Sequence, residues 1–381
     1  MNRFIAFNPE HDMALANGDR NFIAPKNIRE MARDLAPLMD VMNGDDIMVW
    51  GWDYAIKSHL LRMGIAENQL PTDVALTALR KCSERQAAHH LLRAFHIDHP
   101  KGPYIGESTL ARNIGDIENY AIKHERIILK DPLSSSGKGL RHVNINEDDN
   151  DNENFQWVAS SSPSLSKVEN WANALIKRHG YLTAEPYYDK VQDFAMEFCI
   201  RKEQCHFIGY SLFSTNHHGR YESNILMADE KIETLLTKHI PYSALHEVRN
   251  WIIAHSNHII PMEWNTTLHP LYFGIDMMIV NRGLQISEAN FPFKLHPCVE
   301  INLRLNMGII AHEVRRKLLA PNVEGTFHVT SFPSEEAAYQ FHKEHTEQHP
   351  TIHKDGHIVS GYHPLTPILP HTRHHAYIMC P

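Results

Sequence analysis

The sequence lacks any apolar run that approaches the roughly 18 residues of a membrane-spanning helix. Its opening segment, residues 1–7, reaches the polar residue Asn8 at once, which is too short for the apolar part of a secretion signal. Basic residues are not in excess, since 37 Lys and Arg stand against 45 Asp and Glu and the net charge is −8. General nucleic-acid binders are usually basic. We therefore expect a cytoplasmic protein with neither a membrane nor a nucleic-acid partner.

Cysteine is scarce and has no metal-binding pattern. The five cysteines are odd in number and show no CxxC spacing, so we expect reduced thiols, as in the cytoplasm. The 29 histidines occur without HExxH or paired Cys/His spacing. Adjacent pairs such as His89-His90 point apart in regular structure. We therefore expect surface histidines rather than a histidine metal site.

The chain has 381 residues, of which 43% are hydrophobic and 22% charged, and this length corresponds to two or three globular domains. Apolar periodicity predicts a strand at 3–6, a helix at 27–42, a strand at 46–50 and a helix at 54–63. This alternation predicts an α/β domain over residues 1–108. A second unit begins near Thr109, with a helix predicted at 110–120 and a strand at Arg126–Lys130. Further helices are predicted at 164–178 and 309–319. Strands predominate from about 205 to 308, with one helix near 243–253, so a mixed α+β part follows.

The first segment that carries chemistry is the predicted strand Arg126–Lys130 and the Ser/Gly-rich loop after it. Small residues let backbone N–H groups approach an anion, and the lysine adds a positive charge, so the segment is a phosphate-binding arrangement. It is not a Walker A loop, because Pro132 and Gly139 stand where that pattern needs Gly and Ser or Thr. No HRD or DFG motif indicates a protein kinase. An ordinary β-turn is the alternative.

The second segment connects Glu185, at the end of one predicted strand, with Asp193, at the start of the next. A loop of this kind between two lobes can hold a nucleobase, and a carboxylate can accept hydrogen bonds from ribose hydroxyls. A surface hairpin is the alternative.

The third segment contains Asp276 and, further along, Glu300-x-Asn302-x-Arg304. Strand alternation places these last three side chains on one face. Carboxylate and amide oxygens suit a Mg²⁺ ion that is shared with phosphates, and an arginine can neutralise a phosphoryl group in transfer. A polar strand face turned to solvent is the alternative.

The order of these three segments resembles the ATP-grasp superfamily over roughly residues 109–319, after an α/β domain of the kind that commonly precedes it. The resemblance implies a two-lobed fold over 109–320, with a lid lobe at about 126–184 and a second lobe at about 185–320, and leaves 321–381 as an extension. It implies ATP and Mg²⁺, or Mn²⁺, as cofactors. The implied enzyme is an ADP-forming ligase that phosphorylates a small-molecule carboxylate, after which an amine or thiol attacks the acylphosphate. A small-molecule kinase on the same fold and a non-catalytic nucleotide-binding protein are the alternatives.

The resemblance also implies roles for individual residues. Lys130 resembles the lysine that contacts the ATP phosphates, Glu185 the residue at the adenine, and Asp193 the ribose ligand. The loop over the phosphates corresponds to Ser135, Ser136, Gly137, Lys138 and Gly139. The metal ligands correspond to Asp276, Glu300 and Asn302. Arg304 resembles the arginine that steadies the transferred phosphate, so that Arg304 and Lys130 are the expected catalytic residues, and Arg85 could replace a second lysine of the family.

A second Glu-x-Asn, at Glu288 and Asn290, competes for the metal. A tight hairpin after Asp276 would place Asp276 opposite Glu288, which could then replace it or complete the metal pair. We prefer Glu300 because an arginine and a glycine follow it within eight residues.

Two polar segments are candidates for the acceptor substrate. Residues 8–12 follow the first strand, where α/β domains bind ligands. The polar loop at 213–224 could cover the substrate, or it could be purely structural.

Overall fold

The computed structural model describes residues 4–42, 46–134, 139–144, 163–215, 221–281 and 292–381. Helices alternate with two parallel strands in the N-terminal part, which confirms the predicted α/β character there. The elements are β1 (Phe4–Ala6), α1 (His11–Asn17), α2 (Lys26–Leu35), β2 (Ile47–Val49), α3 (Tyr54–Arg62), α4 (Asp73–Cys82) and α5 (Arg85–Asp98). The helix predicted at 27–42 is too long. The α-helix ends at Leu35 and a 3₁₀ turn follows at Ala36–Val41, because Pro37 lacks the N–H that a continuing helix needs.

A four-stranded antiparallel sheet with the order β3-β6-β4-β5 follows. Its elements are β3 (Thr109–Ala111), α6 (Ile114–His124), β4 (Arg126–Lys130), β5 (Leu140–Asn144), α7 (Pro163–His179) and β6 (Leu182–Pro186). The helix predicted at 110–120 was wrong at its start, because residues 109–111 pair with β6. The helix begins after Asn113, whose side chain accepts a hydrogen bond from the N–H of Asp116 at 2.9 Å, as an N-cap does. Apolar residues of α6 and α7 cover one face of this sheet and form its separate core.

A second four-stranded antiparallel sheet has the order β12-β11-β7-β8. Its strands are β7 (Lys190–Arg201), β8 (Gln204–Ser211), β11 (Leu271–Asn281) and β12 (Phe293–Asn302), and the associated helices are α8 (Asp229–Leu236), α9 (Tyr242–Ala254) and α10 (Met307–Leu318). The sequence indicated one helix before β11 and missed α8. The largest core of the described residues joins the inner strands to α4 and α5. Its members include Phe198 and Phe273 of the sheet, Leu79 of α4 and Phe95 of α5. The N-terminal helices are therefore packed directly against this sheet.

The C-terminal residues extend a sheet that begins in the middle of the chain. Its strands are β9 (Phe213–Thr215), β10 (Tyr221–Leu226), β13 (Gly325–Ser331), β14 (Ile352–Lys354), β15 (His357–Pro364) and β16 (His374–Cys380), with α11 (Glu335–Gln348) beside them. The order is β14-β15-β16-β13-β10-β9, and Asn224 on β10 lies opposite Phe327 on β13. Hydrogen bonds of one sheet thus cross the boundary expected near residue 321.

The mixed α and β architecture predicted from the sequence is confirmed by these sheets and helices. No helix in the described ranges is long and apolar enough to cross a membrane.

Candidate active site

Lys130 is the last residue of β4, and it forms a buried ion pair with Glu185 on the neighbouring strand β6. Its Nζ lies 2.5 Å from Oε2 of Glu185, and the two residues are only 5% and 7% exposed. A buried charge needs a partner, because it has lost its hydration. Glu185 therefore balances the lysine that the sequence assigns to the ATP phosphates.

The loop after β4 approaches Arg85 at the start of α5. The guanidinium donates hydrogen bonds to the carbonyl oxygens of Asp131 at 3.0 Å and Ser134 at 3.3 Å. A Cβ at Gly139 would lie 2.0 Å from Oγ of Ser134. Only glycine therefore fits at the position where the chain leaves this loop and enters β5. Four of the predicted loop residues, Ser135, Ser136, Gly137 and Lys138, lie outside the described residues.

Arg85 also connects this loop to the candidate metal ligands. Its Nη1 lies 3.0 Å from Oε2 of Glu300, and the arginine side chain is buried while that of Glu300 is partly exposed. Burial alone would lower the pKa of Arg85, but the charges of Glu300 and Glu185 outweigh it and raise the pKa above its ordinary value. The structure thus brings this arginine, a secondary candidate in the sequence, into contact with both halves of the site.

Asp276 on β11 lies directly opposite Glu300 on β12, and Gly274 lies opposite Asn302. Burial, followed by the negative charge of Glu300, raises the pKa of Asp276 to about 7, although Asn302 donates a hydrogen bond to its carboxylate. The cross-strand neighbours of Asp276 are Glu300 on β12 and Ala195 on β7. Glu288 and Asn290, which the alternative hairpin would place there, lie outside the described residues.

Glu197 is an acid near this cluster that the sequence did not single out. It lies on β7, is 1% exposed and accepts a hydrogen bond from Nδ2 of Asn306 at 2.7 Å. Burial, and to a lesser degree the charge of Asp276, raises its pKa to about 8. A Cβ at Gly308 would lie 2.2 Å from its Oε1. The signal was present, because Glu197 is the one charged residue in the apolar stretch 194–200.

Arg304 lies beyond the end of β12, which stops at Asn302. Strand alternation therefore does not extend to Arg304, although Arg304 lines the same pocket as Glu300 and Asn302. Its guanidinium binds the carboxylate of Asp12 through Nη2 at 2.8 Å and Nε at 3.1 Å. Such two-point pairs fix the orientation of both groups.

The polar stretch at 8–12 is thereby brought to the site, as expected for a ligand-binding turn after β1. Asn8 donates hydrogen bonds to the carbonyl of Gly51 at 2.8 Å and to Oδ2 of Asp53 at 3.2 Å. His11 lies 3.3 Å from the same Asp53 oxygen. These contacts hold the turn in place, and a small pocket opens between it and β12. Its lining includes His11, Asp12, Ser83, Ser134, Glu300, Asn302 and Arg304.

The connection between β6 and β7 brings Tyr188 against His296 of β12. The hydroxyl of Tyr188 accepts a hydrogen bond from the N–H of Glu107 at 3.0 Å. Its ring lies 5.6 Å from the ring of His296. Burial lowers the pKa of His296 to about 3, so this histidine is neutral. Asp193, at the other end of the connection, forms an ion pair with Lys190.

The donor set at β11 and β12 fits a magnesium ion better than a closed metal site. Among the described residues, no group of three or more His, Cys, Asp or Glu side chains is placed to hold a metal ion. Asp276, Glu300 and Asn302 supply two carboxylates and one amide, and Mg²⁺ typically takes one or two carboxylates and completes its shell with water and phosphate oxygens. Asp276 and Glu300 are cross-strand neighbours, and the charge of Glu300 is second to burial among the causes that raise the pKa of Asp276, so the two acids lie close enough to share a cation.

Several histidines are buried rather than at the surface, contrary to the expectation. His11, His269, His296 and His375 are each at most 5% exposed. Burial of His296 and His375 is strong enough to lower the pKa of each to about 3, so both are neutral core residues. The expectation failed because residue type and adjacency do not show which histidines the tertiary structure buries, and a neutral imidazole avoids the cost of burying a charge.

No protein-family model and no curated protein matches the chain. Solved structures are similar to it over its whole length. N5-carboxyaminoimidazole synthetase from Staphylococcus aureus, in complex with ADP, is 12% identical, with 100% of this chain and 95% of that chain covered and a TM-score of 0.48. Biotin carboxylase from Campylobacter jejuni is 11% identical, with 100% and 87% covered and a TM-score of 0.48. At this identity and TM-score the likeness carries no argument about function, and the roles of residues rest on the contacts above.

Proposed function

We propose that the chain is an ADP-forming ligase of the ATP-grasp type, which activates a small-molecule carboxylate with ATP and joins it to an amine or a thiol. One observation carries the proposal: Arg85 and Arg304 approach the acids Glu300 and Asp276 from separate segments. The charge of Glu185, the partner of Lys130, also acts on Arg85. Cations and acids side by side suit a polyphosphate that shares a divalent cation with the protein. The cytoplasmic location expected from the sequence is part of this proposal.

The nucleotide would lie between the two four-stranded sheets. The connection from Glu185 to Asp193 would hold the adenine and ribose, with Tyr188 beside the base and Asp193 accepting from ribose hydroxyls. Lys130 would exchange its contact with Glu185 for one with the phosphates. Backbone N–H groups of the loop that ends at Gly139 would add further donors.

These residues can neutralise the charge of the phosphates and orient the acceptor for phosphoryl transfer. A carboxylate oxygen of the acceptor attacks the γ-phosphorus, the bond to the β-phosphate oxygen breaks, and ADP leaves. Lys130 and Arg304 offset the negative charge that spreads over the phosphoryl oxygens. Asp276, Glu300 and Asn302 would hold Mg²⁺, or Mn²⁺, which when bound neutralises the β- and γ-phosphates.

In the second step the amine nitrogen, or the thiolate sulfur, attacks the acyl carbon. The amine gives up a proton, and inorganic phosphate leaves with the electrons of the C–O bond. Because water would hydrolyse the acylphosphate, the closed site must exclude it. Positioning of the reactants therefore supplies much of the rate enhancement.

The test is the product balance of the purified chain with Mg·ATP and panels of acids and amines. A ligase releases ADP and phosphate in equal amounts, and only when both an acid and an amine or thiol are present. A phosphorylated product with ADP but without free phosphate would indicate a small-molecule kinase. Tight ATP binding without turnover would indicate a nucleotide-binding protein.

A further inference from the structure

The pocket between the N-terminal turn and β12 contains a charge pair that any acceptor has to open. Asp12 and Arg304 are separated by 292 residues in the chain and meet in a two-point contact. Their side chains are 24% and 15% exposed. Arg304 is further tied to the carbonyl of Leu305 at 3.2 Å. The pair is thus partly shielded from water at the place where an acceptor could reach both the turn and the metal ligands.

The charges that line the pocket balance one another in pairs. Glu300 is matched by Arg85, and Asp12 is matched by Arg304. His11, the neighbour of Asp12, is engaged by Asp53. A ligand that enters this pocket therefore meets a site with little net charge rather than a cationic site for a bare anion.

A simple acid and a zwitterion differ in what they do to the Asp12–Arg304 pair. A carboxylate alone can replace Asp12 on the guanidinium, but it offers Asp12 nothing in return for the lost arginine. In a shielded site the loss of one partner of an ion pair is unfavourable. A ligand with a carboxylate and an ammonium group supplies a new partner to each residue, so the exchange conserves both ion pairs.

We propose that the acceptor is an α-amino acid whose carboxylate binds Arg304 and whose ammonium group binds Asp12. This inference rests on the proposed ligase function and adds the class of its acid substrate. The α-position is favoured because Asp12 and Arg304 are in direct contact at 2.8 Å, so a ligand with both charged groups on one carbon separates the pair least. The same carboxylate would lie beside Glu300 and Asn302, which line the pocket, within reach of the terminal phosphate.

The test compares each amino acid with the acid that lacks its amino group. The full chain is saturated with Mg²⁺ and a non-hydrolysable ATP analogue, and thermal shift against the standard α-amino acids selects the strongest one. Calorimetry then measures that amino acid, its desamino acid and the corresponding amine. We expect the amino acid to bind at least tenfold more tightly than either, about 1.4 kcal/mol.

Asp12→Asn is the decisive variant. The matched control is Asp40→Asn, because Asp40 is exposed in the 3₁₀ turn that follows α2. Asp12→Asn should weaken the amino acid at least tenfold and leave the desamino acid bound as well as or better than in the wild type, because Arg304 is then released. Asp40→Asn should change neither affinity. Circular dichroism and thermal unfolding confirm that both variants fold.

The outcomes separate this inference from the proposed function. If the ATP analogue binds but no amino acid does, or the desamino acid binds equally well, the amino-acid assignment is overturned while the nucleotide site stands. Unchanged amino-acid affinity in Asp12→Asn overturns it also. If the ATP analogue itself does not bind, the proposed function fails.

Discussion

The buried pair of Lys130 and Glu185 should link the stability of the protein to its nucleotide affinity. From the sequence alone, Lys130→Ala is expected to weaken Mg·ATP binding without unfolding the protein. The structure changes the second half of that expectation, because removal of Lys130 leaves the Glu185 carboxylate buried without its ammonium partner at 2.5 Å. Breaking a buried pair from one side typically costs about 3–5 kcal/mol.

A three-variant series separates the two effects. Lys130→Met keeps the length of the side chain and removes the charge, so the free energy of unfolding should fall by about 3–5 kcal/mol. Adding Glu185→Gln to Lys130→Met removes the orphaned carboxylate and should recover most of this loss, as replacements of both partners of buried pairs do. Glu185→Gln alone should be intermediate, since the amide oxygen still accepts from Lys130. Urea denaturation with linear extrapolation measures all three.

Loss of the lysine charge should also weaken nucleotide binding. Every variant without Lys130 loses one charge-assisted contact with the phosphates, about 1.5–3 kcal/mol, which is roughly a 10- to 150-fold increase in Kd for a Mg·ATP analogue. Lys123→Met is the control, because Lys123 and its partner Glu107 are both exposed and such pairs contribute about 1 kcal/mol or less.

Two results would refute the reasoning. A Lys130→Met protein as stable as the wild type would show that the buried pair does not exist. A stable double variant that binds the ATP analogue with wild-type affinity would show that Lys130 does not contact the phosphates.

Three further predictions concern the acids of the site. Glu300→Gln and Asn302→Ala should each leave a folded protein that binds ATP but hydrolyses it slowly in a Mg²⁺-dependent assay. If Glu288→Gln instead loses most of its ATP turnover while Glu300→Gln keeps nearly all of it, the metal site would be assigned to Glu288 and Asn290. Glu197 has a native pKa of about 8 against an ordinary 4.5, so its contribution to stability is complete below pH 4.5 and is lost as the pH rises towards 8. In urea unfolding with EDTA, the free energy of unfolding of the wild type should fall between pH 5 and pH 8 by about 2–4 kcal/mol more than that of Glu197→Gln, which keeps the contribution of Asp276. Equal pH slopes in the two proteins would contradict this. Gly308→Ala should lower the free energy of unfolding by about 1–3 kcal/mol, because the added Cβ would lie 2.2 Å from the Glu197 carboxylate. The loss is expected although alanine normally favours a helix over glycine. A higher melting temperature for the variant would exclude this close contact.

Local pattern was sufficient for many elements and for the residue types of the site. The strand at Arg126–Lys130 has the predicted bounds, and α7, α9 and α10 lie within about two residues of their predicted positions. These elements depend on apolar periodicity and capping, which act over a few neighbouring residues. Periodicity failed at β3, because a strand of three residues is too short to show a period and depends on its pairing with β6.

The sequence also indicated the chemistry of each segment, but it did not indicate which side chains contact one another. The identities of Lys130, Glu300 and Arg304 indicated a phosphate and metal site without reference to any contact. That Glu185 holds Lys130, that Arg85 holds Glu300 and that Asp12 holds Arg304 was decided only when the sheets and the N-terminal helices packed together. Ion pairs between distant residues leave no mark in local spacing, because charge attraction depends on separation in space and not along the chain. Burial acts in the same way, since Glu197 acquires its raised pKa only from the tertiary structure that removes it from water.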